Sequence, residues 1–120
     1  MPVHIVQAIG ALLIGAVFVI AGIEHFAKFK AMRGYLAARK FPAPALMLAA
    51  GSALEIVAGL MLAVGLAVPV ATGALIVFTL ATNLTLLRFW TSEEPERQVL
   101  RNAFLINFAI VGGLLLAGAV

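Results

Sequence analysis

The chain has 120 residues, 64% of them hydrophobic and 11% charged, with a mean hydropathy of +1.16. Soluble domains carry roughly 25% charged residues, so the composition excludes a water-soluble globular domain and predicts a membrane protein. The net charge of +3 comes from eight Lys and Arg in short clusters, which membrane topology explains without nucleic acid, and the absence of cysteine removes disulfides, thiol redox centres and Cys-ligated metals.

The first apolar run predicts a helix over about 5–29. Met1-Pro2-Val3-His4 has no basic segment, and the run that follows carries no small-residue cleavage pattern, so the helix is expected to be retained. Glu24, His25, Lys28, Lys30, Arg33, Arg39 and Lys40 follow, and Phe41-Pro42-Ala43-Pro44 closes this segment as a loop, because each residue before a proline disfavours the helical region. A second helix is expected over 45–66 and, after the short turn Ala67-Val68-Pro69, a third over 70–89. Trp90 is placed as an interfacial aromatic. Thr91 to Arg97 is a polar loop in which Thr91 or Ser92 is suited to capping a fourth helix over 99–119. Each run is near the ~20 residues that a ~30 Å hydrocarbon core requires. The expectation is one all-α domain over 1–120, a polytopic bundle of four transmembrane helices.

Counting Lys and Arg orients the bundle. Five lie between helices 1 and 2, and three (Arg88, Arg97 and Arg101) lie around the loop between helices 3 and 4, with none at the termini or the 2–3 turn. The positive-inside rule then places loops 30–44 and 90–98 in the cytoplasm and both termini outside. A faint repeat relates Ile56-Val57-Ala58-Gly59-Leu60-Met61-Leu62-Ala63 to Ile110-Val111-Gly112-Gly113-Leu114-Leu115-Leu116-Ala117. This suggests a duplicated helical hairpin, although chance supplies short apolar matches readily. Small residues at helical spacing, such as Ala11 with Gly15, Gly15 with Gly22, and Gly59 with Ala63, suit close packing within the bundle; a homo-oligomer face is their other use.

Glu55 lies about 15 Å into the second helix, near the midplane. A carboxylate there costs about 2.5–3.5 kcal/mol on insertion scales, so it is expected to face the bundle interior or a cavity. Its helical neighbours Gly51, Ser52 and Gly59 form a small, weakly polar face. A charged carboxylate at that depth asks for a cation, and Lys28, Arg88 and Arg101 are the candidates, with spacing unable to choose among them. Glu24 and Lys28 stand at i, i+4 in the favourable orientation. Asn83, with Thr79 and Thr82 before it, and Asn102 and Asn107 fall in the same half of the bundle; helix–helix hydrogen bonding is their default role. Glu55, Glu24, His25, Lys28, Asn83 and Asn107 are thus the candidates for ligand binding or proton relay. No His or carboxylate group has metal-ligand spacing, so no metal is expected. No nucleophile triad, phosphate loop or dinucleotide fingerprint is present.

Several of these segments resemble the DoxX family of small four-helix membrane proteins. They are Gly22-Ile23-Glu24-His25-Phe26 with Lys28, Leu54-Glu55-Ile56-Val57-Ala58-Gly59-Leu60, Phe89-Trp90, and Asn107 with Gly112-Gly113-Leu114-Leu115. Glu-Ile-x-x-Gly-Leu is the best single match. Helix 1 departs from the family, carrying Glu-His where many relatives end in a Gly-x-x-Lys type pattern. The resemblance implies an accessory subunit of a membrane oxidoreductase system, binding a small hydrophobic molecule such as a quinone and relying on a redox partner protein for electron transfer. The alternative is a structural or assembly factor for a partner membrane complex, with no chemistry of its own.

Overall fold

The computed structural model describes residues 3–119, and among these all regular structure is helical. The helices are α1 (Val3–Ala27), α2 (Phe29–Ala38), α3 (Pro44–Val64), α4 (Val68–Thr85) and α5 (Glu96–Ala119), with a single 3-10 turn at Phe89–Thr91. Four spans are long and apolar enough to cross a bilayer: His4–Ala27, Pro44–Val64, Val68–Thr91 and Glu96–Ala119. The molecule measures 47 × 27 × 19 Å, and its long axis suits a bilayer of ≈ 40–45 Å including headgroups.

α2 corrects the expected 30–44 loop. The first span ends at Ala27, and Lys28 (φ −108, ψ 29) breaks the helix before a second one begins at Phe29. Met32, Tyr35 and Leu36 stand at i, i+3, i+4 and give α2 one apolar face, with Leu36 buried. The basic residues around them hid this pattern. The fourth span starts earlier than expected, at Glu96 just after Pro95, and neither Thr91 nor Ser92 caps it. The Thr91 hydroxyl instead donates to Arg88 O, 2.9 Å away, within the 3-10 turn.

Turn chemistry sets the ends of the α3–α4 hairpin. Gly65 (φ 77) takes the left-handed position after α3, and the Leu66 N–H donates to Met61 O at 2.8 Å. Pro44 opens α3, and Pro69 lies in the first turn of α4, where a missing N–H costs nothing.

α1 packs along α3, and α4 along α5. At the first crossing a Cβ on Gly15 would lie 2.5 Å from Gly59 O and 2.9 Å from Ala63 N. One heptad further along each helix, a Cβ on Gly22 would lie 2.8 Å from Ser52 O. The small residues therefore serve intramolecular packing, the ordinary use in a bundle. Phe18, Ala58, Leu62, Ala71, Leu75 and Leu114 form the core. The two matched apolar strings do not present equivalent faces: Leu62 is fully buried, whereas its counterpart Leu116 is 74% exposed. The many exposed Leu, Ile and Val of the four spans are the lipid-facing surface.

Candidate functional site

Glu55 stands just past the middle of α3, and 3% of it is exposed. The Gly22–Ser52 contact holds the antiparallel α1 and α3 close, with His25 three residues after Gly22 on one helix and Glu55 three residues after Ser52 on the other, on opposite sides of the contact. Their side chains meet: His25 Nδ1 is 2.9 Å from Glu55 Oε1. The contact is an ion-pair approach, and among the described residues Oε1 accepts no directed hydrogen bond. The group facing Glu55 is therefore His25, and none of Lys28, Arg88 and Arg101. Lys28, Arg88 and Arg101 are all exposed, and among the described residues none forms an ion pair.

A cavity of about 720 Å³ opens beside this pair. All five helices contribute to its wall: Phe18 and His25 from α1, Tyr35 and Leu36 from α2, Ser52 and Glu55 from α3, Phe78 and Thr79 from α4, and Asn107 from α5. The volume falls in the ≈ 300–1,000 Å³ range of small-molecule sites, and the wall has their character, mostly apolar with a few convergent polar groups.

Three buried side-chain atoms lack a hydrogen-bond partner among the described residues: Ser52 Oγ, Glu55 Oε1 and Thr79 Oγ1. All three belong to residues of this wall. Thr79 is the exception on its helix. Thr72, Thr82 and Thr85 each return their hydroxyl to the carbonyl four residues earlier, at 2.9, 3.0 and 2.6 Å. An unpaired buried polar group costs about 1–3 kcal/mol, so three around one cavity need an explanation.

The remaining candidates divide. Asn107 lines the cavity and donates through Nδ2 to Asn83 Oδ1 at 2.8 Å, while Asn83 Nδ2 donates to Phe104 O at 3.2 Å. Asn83 is buried and outside the wall; it ties α4 to α5, the role expected of it. Asn102 departs from that default: it is exposed and accepts from Gln98 within its own helix at 3.2 Å. Glu24 and Lys28 are exposed and outside the wall, and among the described residues their side chains form no ion pair. One residue is 100° of helix, so turning His25 inward turns Glu24 out. Thr79 and Ser52 are the wall residues that the sequence ranked too low. Among the described residues no group of His, Asp and Glu is arranged to hold a metal.

A second cavity, about 640 Å³, lies at the other end of the bundle, lined mainly by small and apolar residues together with His4 and Gln7. None of the three unpaired atoms belongs to its wall.

The family model described as DoxX matches residues 7–88, from α1 through the end of α4. The chain belongs to the DoxX family. With its four spans, this DoxX protein is a multi-pass integral membrane protein. The match takes in His25, Ser52, Glu55 and Thr79 and stops before Asn107. No curated protein matches the chain, and no solved structure does.

Proposed function

We propose that this DoxX protein binds a small, largely apolar molecule with a polar head, a quinone being the best fit, in the cavity beside Glu55. The observation that carries this reading is that Ser52 Oγ, Glu55 Oε1 and Thr79 Oγ1, all buried and none hydrogen-bonded among the described residues, belong to residues that wall one cavity. A ring oxygen accepts from the two hydroxyls, and a ring hydroxyl donates to the carboxylate, which matches the oxidised and reduced forms of a quinone in turn. Phe18, Tyr35 and Phe78 supply apolar and aromatic surface for the ring. His25 holds the Glu55 carboxylate in place and is, among the described residues, the ionisable side chain paired with it, placed to exchange a proton with it. Glu24 and Lys28 are exposed and are not part of the wall. In this reading the protein acts as an accessory subunit to a redox partner protein that carries the electron-transfer cofactor, with its basic loops in the cytoplasm and its termini outside.

Binding of a quinone analogue to the purified protein tests the reading. Saturable binding is expected, weakened roughly 10–100-fold by Glu55→Gln, the range that a charge-assisted hydrogen bond supports. Equal binding by wild type and Glu55→Gln refutes the role of Glu55. No saturable binding to a folded protein returns the polar groups to helix packing and favours the assembly-factor reading.

A further inference from the structure

The charge at the basic end of the bundle is unevenly placed. Around α2 lie Lys28, Lys30, Arg33, Arg39 and Lys40, with Glu24 the one carboxylate nearby in sequence. Around the α4–α5 connection lie Arg88, Arg97 and Arg101, matched in number by Glu93, Glu94 and Glu96. The unbalanced positive charge therefore gathers on and beside a single ten-residue helix.

The geometry of α2 separates that charge from its apolar side. Met32, Tyr35 and Leu36 form the inner face and wall the cavity. Lys30 and Arg33 stand one turn apart on the other side, both exposed, and Lys40 is exposed just beyond the C-terminal end. Among the described residues, Arg39 is the α2-region cation with a carboxylate partner, Glu96 at 3.2 Å; it also lies 4.5 Å over the Tyr35 ring. Lys30, Arg33 and Lys40 have no such partner among the described residues. A short amphipathic helix next to a transmembrane span, apolar on its inner face and basic on the other, has the form of an interfacial helix. Its long basic side chains reach from the hydrocarbon edge to the headgroup level.

We propose that the outer face of α2, through Lys30 and Arg33 with Lys40 beside them, is a docking surface for anionic phospholipid headgroups. The phosphate of every phospholipid lies at the right depth, but a zwitterionic headgroup brings its own cation. An anionic headgroup supplies the missing negative charge without one, so charge complementarity selects it. The inference stands apart from the quinone reading, because it requires nothing to enter the cavity.

The test titrates phosphatidylglycerol and phosphatidylcholine into detergent-solubilised protein at about 0.1 M salt and counts bound lipid by native mass spectrometry. Each basic side chain near an anionic surface carries roughly a fivefold effect, so K30Q/R33Q is expected to weaken phosphatidylglycerol binding about thirtyfold. The control R97Q/R101Q removes the same charge from α5 and is expected to change it less than about threefold, in keeping with the carboxylates already beside it. The charge-preserving K30R/R33K retains binding. Equal losses in the two charge-removing variants reduce the effect to net charge and overturn the proposal. Equal binding of the two lipids by wild type overturns it as well. Competition by millimolar inorganic phosphate would assign the face to a soluble anion and refute the lipid.

Discussion

Adding one methyl group at Gly15 should weaken the bundle, whereas the same change at Gly10, five residues earlier on α1, should strengthen it. A Cβ at Gly15 would lie 2.5 Å from Gly59 O and 2.9 Å from Ala63 N, both backbone atoms, so no side chain can rotate away. Relief to ordinary contact requires α1 and α3 to part by about 0.9 Å, and a gap of 0.5–1 Å forfeits a quarter to a half of each dispersion contact along the crossing. Overpacking of this kind costs about 1–3 kcal/mol. A methyl group on Gly10 would meet nothing within 4 Å, so Gly10→Ala keeps only the backbone benefit of about 0.5–1 kcal/mol. Equilibrium unfolding of the two variants in mixed micelles, against wild type, measures the difference. Shifts of the same sign, or a Gly15→Ala protein as stable as wild type, would refute the close backbone crossing.

The other expectations concern polar groups. Thr79→Val removes a buried hydroxyl without a partner, so stability should hold or rise by up to about 1 kcal/mol in the same unfolding assay, while quinone-analogue affinity falls. Asn83→Leu should cost about 1–3 kcal/mol by unfolding, since it breaks two interhelical bonds of ~0.6–2 kcal/mol each and strands the Asn107 amide. Arg39→Gln should change stability by no more than about 1 kcal/mol, with salt erasing the effect, because its bond to Glu96 is solvent-exposed. The cysteine-free chain allows single-cysteine labelling with an impermeant maleimide: a cysteine at Lys40 should label only from the cytoplasm, and one at Gly65 only from outside; the reverse pattern refutes the orientation.

The four spans were legible because length and apolarity alone define them in a bilayer. Glu55 was legible for the complementary reason, that a carboxylate at midplane depth is costly without a role. α2 was not legible, because three apolar residues among five basic ones read as a charged loop until α3 and the cavity give them something to cover. The partner of Glu55 was also hidden. His25 stood among the candidates, but the choice between it and three stronger cations depends on how α1 is rotated, which the Gly22–Ser52 approach decides. Thr79 was visible only as one of several threonines on the third span: its three companions on α4 bond back to their own helix, and composition cannot say which threonine will not.

The double glycine crossing divides the cavity wall into a fixed jaw and a movable one. α1 and α3 touch backbone to backbone at Gly15–Gly59 and again at Gly22–Ser52, so they shift as a single rigid piece carrying His25, Ser52 and Glu55. Thr79 and Asn107 ride on α4 and α5, and α5 meets α1 at Ile14 and Gly113 with a cavity on either side. Breathing of the bundle then alters the distance from Thr79 to Glu55 while leaving the His25–Glu55 spacing alone. Spin-label pairs should report a narrow distance distribution across α1–α3 and a broader one across α1–α5, and equal widths would refute the division. If the cavity takes the proposed molecule, closure would bring the threonine side onto a carboxylate already held in place.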